Sequence, residues 1–173
     1  YQVSAMGSLD IGKAGDDSQK LHVEDTQTDF WASSFFAHHP NIKWHDNINN
    51  ALYMKLAVNA VINPITATLN IKNGELKAHT SIVNNVKQEV LLIFNALDIE
   101  LSAESVSNKI DDVIKLTANN YSSMLQDIKH NRQTEIESML GYLINRATEQ
   151  QLSVPHITVL YKDIKKKERL MAP

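Results

Sequence analysis

The spacing of apolar positions changes near Asn47. Before it, residues Tyr1 to Ile11 alternate loosely between apolar and polar, with Gly7 and Gly12 at the breaks, which predicts a strand, a turn and a second short strand. Phe30, Trp31, Ser34 and Phe35 fall on neighbouring turns of a predicted helix; Pro40 follows, then a short Ile42-Lys43-Trp44 strand. Residues 1–46 thus predict strand, helix, strand. This is a βαβ fragment without the rest of the sheet that parallel strands normally need. From Asn47 onward the period is helical. Ile82, Val83, Val86, Val90 and Phe94 form one stripe, and Val106, Ile110, Val113 and Ile114 a second behind a Ser102 N-cap. Ile136, Met139, Leu140, Leu143 and Ile144 form a third, and Val159, Leu160 and Ile164 a fourth after Pro155.

Composition narrows this picture without naming a function. A chain of 173 residues with 43% hydrophobic content is long enough for one proper core and short for two full domains. The net charge of -3 gives no electrostatic footprint for nucleic acid or an anionic membrane. The lysine run Lys165-Lys166-Lys167 reads as a solvated helix end. Cysteine is absent, which excludes disulfides, thiolate nucleophiles and sulfur-ligated zinc, and makes the cytoplasm the expected compartment. The first residues, Tyr1 to Gly7, have neither a basic n-region nor a long apolar h-region, so no signal peptide is expected there. The longest apolar stretch, Ala51 to Ile71, is interrupted by Lys55, Asn59, Asn63 and Pro64, which argues against a membrane span.

Those interruptions are the most informative feature of the chain. Lys55, Asn59 and Asn63 stand at i, i+4 and i+8, so on a helix they share one face, within an arc of roughly 80° and a length of roughly 12 Å. Leu56, Ala57, Val58, Ala60, Val61 and Ile62 cover the rest of the circumference, which predicts a largely buried helix with one polar face. Two readings of that face stand. Lys55 can reach solvent while the asparagines bond to backbone, or the face can line a ligand. Asn63 precedes Pro64, where the missing N–H and the ring should break or kink the helix and free polar groups for a ligand.

A second polar series, Asn120, Ser123 and Asp127, recurs at i, i+3 and i+7 and predicts one helix face, although two serines and an Asp near a helix start are also capping residues. Glu135 stands at the border of the third apolar stripe, where a carboxylate serves either a structural ion pair or catalysis. A partly buried Lys, a border Glu, several amides and a hydroxyl suit a small keto or hydroxy acid. The ammonium can protonate a carbonyl oxygen as it becomes an alkoxide, and amides can hold a carboxylate or hydroxyl. No phosphate-binding glycine motif is present: Gly7, Gly12, Gly15, Gly74 and Gly141 are wrongly spaced for one. His38, His39 and His45 cluster but lack ligand spacing, so no metal is expected.

The run Lys55-Leu56-Ala57-Val58-Asn59-Ala60-Val61-Ile62-Asn63-Pro64-Ile65-Thr66-Ala67, with Asn73-Gly74-Glu75-Leu76, resembles the helix and turn that open the C-terminal domain of ketopantoate reductases. Ser122-Ser123-Met124-Leu125-Gln126-Asp127-Ile128, then Thr134-Glu135-Ile136-Glu137, is similar to that family's second signature. The resemblance implies hydride transfer from NADPH to the C2 carbonyl of 2-dehydropantoate, giving (R)-pantoate in pantothenate and coenzyme A synthesis. It makes Lys55 the general acid and Glu135 catalytic, holding the substrate hydroxyl near the nicotinamide ribose of the cofactor. It gives Asn59, Asn63, Asn73, Asn120 and Ser123 to substrate binding, and Asp127 a supporting role.

The fold it implies is mainly α. Residues 47–173 are expected to form an all-helical substrate-binding domain like the C-terminal domain of 6-phosphogluconate dehydrogenase, and 1–46 a short α/β remnant of a Rossmann domain. NADPH would be bound mainly by Rossmann residues absent from the chain, so the chain alone should not turn over. The expected partners are the 2-oxo acid and the rest of the Rossmann domain, with a homodimer left open; neither nucleic acid nor membrane is expected. Two alternatives stay open: a reductase of another branched 2-oxo acid, and a helical dimerisation or interaction module.

Overall fold

The computed structural model describes residues 9–12, 42–45 and 48–171. The chain divides into two compact units, Tyr1–Tyr53 and Met54–Pro173. In the first, β1 (Leu9–Gly12) and β2 (Ile42–His45) pair in parallel, Leu9 opposite Ile42 and Gly12 opposite His45. The expected Ile42–Trp44 strand is therefore present. The first expected strand, the helix around Phe30 to Phe35, and His38 and His39 lie outside the described residues.

The remainder is helical. Helix α1 spans Asn49–Leu69 and α2 Thr80–Ala96, with a 3-10 turn, Asn73–Ala78, between them. Helices α3 (Ala103–Leu116) and α4 (Ser123–Lys129) follow. A π turn over Glu137–Gly141 then leads into α5 (Tyr142–Glu149), and α6 spans Pro155–Met171. The four predicted stripes fall on α2, α3, the π turn with α5, and α6. In α6 the inward residues are Ile157, Leu160 and Ile164, whereas Val159 is 58% exposed, because it stands between the turns that face the core. Among the described residues no helix is long and apolar enough to cross a membrane.

Helix α1 departs from expectation at Pro64, where it neither stops nor restarts but runs on to Leu69. A mid-helix proline costs about 3 kcal/mol, because Ala60 loses its N–H partner and the ring crowds the preceding turn. Val58, Val61, Ile62 and Ile65 are buried around it, each contributing about 2 kcal/mol. Burial outweighs the local penalty. The Thr66 hydroxyl also bonds back to the Ile62 carbonyl at 2.8 Å and the Asn63 carbonyl at 3.1 Å.

Four helices end in one motif. Asn70, Asp98, Asn131 and Gln151 take φ between 52° and 56°, each just past a helix C-terminus. In each case the next residue donates its N–H five positions back: Ile71 to Thr66, Ile99 to Phe94, Arg132 to Asp127 and Leu152 to Ala147. This is the Schellman arrangement, here built without glycine. Asn and Asp tolerate the left-handed region; Gln has no such local compensation.

Helix α6 is tied down at both ends by carboxylates. At its start the buried Glu89 of α2 accepts the N–H groups of His156 (3.0 Å) and Ile157 (2.8 Å), while His156 Nδ1 lies 2.7 Å from the same carboxylate. Pro155 fills the first helical position, where no N–H is needed. Near its end, Glu168 Oε1 accepts the Thr134 N–H at 2.9 Å and the Thr134 hydroxyl at 2.8 Å, and Lys165 Nζ lies 3.0 Å from Oε2. Burial pushes the Glu168 carboxyl up, but the Thr134 and Lys165 hydrogen bonds outweigh it and hold the carboxyl below its ordinary value. The bond to Glu168 in turn raises Lys165. The lysine run is thus only partly a solvated end, since Lys165 is 30% exposed and paired.

Three outcomes are expected. Gln151→Gly should raise stability by about 0.5–1 kcal/mol in chemical denaturation, because relief of the left-handed strain exceeds the added chain entropy. Glu89→Ala should lower it by about 2–4 kcal/mol, since two helix-end N–H groups lose their partner. With the folded pKa of Glu168 below its unfolded value, its contribution is complete above about pH 4.3 and is lost as pH falls through the lowered value. The melting-temperature gap between the parent and Glu168→Gln should therefore be widest near neutrality and close in acid.

Candidate active site

The polar face of α1 descends from solvent into the core: Lys55 is exposed, Asn59 half-buried and Asn63 buried. Lys55 is more exposed than the apolar sequence around it predicts, because the continuous buried stretch begins only at Ala57. Helical spacing still places the ammonium two turns from Asn63 on the same side.

One turn beyond Asn63, the Thr66 and Ser122 hydroxyls are joined at 2.8 Å, both buried. This bond ties the first polar block to the second across 56 positions of sequence. A second tie lies beside it. Asn73 donates its backbone N–H to the Asn120 carbonyl and Gly74 to the Ala118 carbonyl, each at 3.0 Å. A Cβ on Gly74 would stand 2.8 Å from the Ala118 Cβ and 2.9 Å from its carbonyl oxygen, so only glycine permits this approach. The Asn73 side chain turns inward, its Nδ2 donating to Thr117 Oγ1 at 2.9 Å. Asn73 Oδ1 is buried without a hydrogen-bond partner among the described residues.

The second block is arranged differently from its spacing. Ser122 has extended backbone and its hydroxyl accepts the Leu125 N–H at 3.2 Å, so α4 starts at Ser123 and Asn120 lies before the helix. Asn120, Ser123 and Asp127 consequently do not form one helix face, because the Ser122 cap breaks the period. Asn120 and Ser123 are exposed. Asp127 is occupied by Arg132, whose Nε and Nη2 both lie 2.9 Å from its Oδ1.

Glu135 is exposed and sits between two buried neighbours, Thr134 and Ile136. The Thr134 hydroxyl gives its proton to Glu168 and accepts the Ile136 N–H at 3.2 Å. Among the described residues neither the Lys55 ammonium nor the Glu135 carboxylate has a hydrogen bond or ion pair. Such a cation can donate a proton, and such a carboxylate can accept a hydrogen bond. A depression of about 590 Å³ is lined by Asn131, Arg132, Gln133, Lys165, Glu168, Arg169 and Met171, and includes none of the sequence-assigned residues.

Sequence reasoning did not find the ties made by Thr66, Gly74, Thr117, Ser122 and Glu168. Thr66 carried a signal, as a lone hydroxyl in a buried apolar helix. Glu168 carried none, since its partner Thr134 is 34 positions away.

Comparison with known proteins identifies the family. The family model "Ketopantoate reductase PanE/ApbA C terminal" matches residues 47–168. The 2-dehydropantoate 2-reductase of Salmonella typhimurium is 43% identical over 129 residues, which are 75% of this chain and 43% of that protein. The chain thus spans less than half the length of this curated relative. Among solved structures, a probable 2-dehydropantoate 2-reductase from Bacillus subtilis superposes with a TM-score of 0.69 at 34% identity, covering 84% of this chain and 50% of that one. A PanE/ApbA family ketopantoate reductase from Ralstonia eutropha JMP134 superposes with a TM-score of 0.78 at 20% identity, covering 95% and 53%, a likeness of fold. With the family model spanning both polar blocks and α1 to α6, the chain belongs to the ketopantoate reductase family, whose helical C-terminal domain it contains.

Proposed function

We propose that this chain is the substrate-binding portion of an NADPH-dependent 2-dehydropantoate 2-reductase, which reduces the C2 carbonyl of 2-dehydropantoate to (R)-pantoate in pantothenate synthesis. The family match across 47–168, which contains Lys55, Glu135 and every assigned amide, carries this reading. The bound nicotinamide supplies the hydride. As negative charge grows on the carbonyl oxygen, the Lys55 ammonium donates a proton to it, leaving a neutral amine and a hydroxyl. Glu135 accepts a hydrogen bond from the substrate hydroxyl, and its exposure leaves lone pairs for a ribose hydroxyl. Asn59, Asn63, Asn120 and Ser123 offer donors and acceptors to the substrate. Asn73 contributes mainly by fixing the Asn120 turn, and Asp127 by anchoring the end of α4 through Arg132.

The nucleotide phosphates find no glycine loop in this sequence, so residues outside these 173 hold them. Residues 1–46 are assigned to the end of that nucleotide-binding domain, and 47–173 to the helical domain. The parallel pairing of β1 with β2 supports this, because parallel neighbours need a crossover connection.

The full-length protein that carries this sequence should oxidise NADPH when given 2-dehydropantoate, faster than with 2-oxoisovalerate, and the 173-residue chain alone should not. Lys55→Ala should lower kcat at least about 100-fold. Near-normal turnover by that variant would remove Lys55 as the proton donor, and preference for 2-oxoisovalerate would reassign the substrate.

A further inference from the structure

Glu135 is exposed on a segment whose immediate neighbours are fixed from one distant residue. Glu168 Oε1 takes both donors of Thr134, the N–H and the hydroxyl, at 2.9 and 2.8 Å. That hydroxyl in turn accepts the Ile136 N–H. Backbone nitrogens on either side of Glu135 are therefore held by one closed set of hydrogen bonds, while Thr134 and Ile136 are buried and the Glu135 side chain alone turns outward. Lys165 neutralises Glu168 at 3.0 Å and also lies 3.6 Å from Glu137, whose carboxylate accepts the Tyr161 hydroxyl at 2.8 Å. Glu137 opens the π turn that follows Glu135, so α6 grips both flanks of that residue. A π turn adds a residue to the helical register, and such turns recur at functional sites, where they re-aim neighbouring side chains.

Two of the bonds to Glu168 end on a carboxylate, which makes them stronger than neutral ones, and they converge on one oxygen, which restricts direction as well as distance. A helix end secured only for stability needs its N–H groups capped. Here the capping hydroxyl is itself fixed by a residue from another helix.

We propose that Glu168 is a positioning residue for Glu135, setting through Thr134 the place from which the Glu135 carboxylate meets the substrate hydroxyl. The proposal rests on the reading of Glu135 as a substrate-binding carboxylate. It assigns Glu168 no contact with substrate or cofactor. Loss of the grip lets the 134–136 backbone drift, so substrate binding weakens while proton delivery by Lys55 continues.

The test is a double-mutant cycle in the full-length protein, with steady-state kinetics on 2-dehydropantoate. Glu168→Ala should raise KM about tenfold and leave kcat within about threefold, and Glu168→Gln, which keeps an acceptor oxygen, should recover part of that loss. Placed on Glu135→Gln, the same Glu168→Ala change should move KM by less than about twofold, because the group being positioned is gone. If Glu168→Ala does not fold, Thr134→Val takes its place in the cycle, since it removes the hydroxyl bonds and keeps the backbone N–H. Equal KM effects in both backgrounds would make the residue purely structural and overturn the proposal alone. A Glu135→Gln variant with parental kinetics would overturn the reading of Glu135 and the proposal with it, a result visible before Glu168 is changed.

Discussion

Everything in the helical unit is built around the burial of α1 from Ala57 to Ala67. A helix enclosed on nearly all sides leaves few places for polar side chains, and each one there must bond to the protein or face a ligand. Thr66 does the first, through its own helix and Ser122. Asn59 and Asn63 stand on the face that leads out to Lys55. The same enclosure keeps the helix whole across Pro64, so Thr66, which meets Ser122, continues the helix that carries Lys55, Asn59 and Asn63.

Around that helix the two polar blocks are joined largely by backbone contacts. The Asn73 and Gly74 N–H groups reach the carbonyls of Asn120 and Ala118, which sets the second block beside the first. Glycine at 74 is what makes the approach sterically permissible. The Asn120 side chain is left exposed while its backbone carbonyl is held.

Helix α6 closes the unit by the same means at a longer range. Glu89 accepts the N–H groups at its start, and Glu168 near its end takes both donors of Thr134. Each carboxylate is bonded by two or more donors, which compensates for its partial burial. The two clamps belong to different parts of the molecule, one against α2 and one against the approach to the π turn. Helix α6 thus links a stabilising cap to the segment that presents Glu135.

Apolar period alone located four of the helical stretches: the stripes that begin at Ile82, Val106, Ile136 and Val159 fall on helices, and the Ser102 cap lies where its hydroxyl predicts. The face of the first polar block was legible, because a lysine and asparagines stand out in an apolar run, whereas the Ser122 cap breaks the period expected of the second. Tertiary structure decided what local rules could not. Helix continuity at Pro64 depends on burial by residues from other helices. The start of α4 at Ser123 depends on a hydroxyl that also meets Thr66, and the left-handed ends at Asp98 and Gln151 have no glycine to mark them. Glu168 is the clearest case: in sequence it is one charge in a basic stretch, and its partner lies 34 residues away. Periodicity is set by neighbours along the chain, whereas a carboxylate's partner is set by which helices pack together.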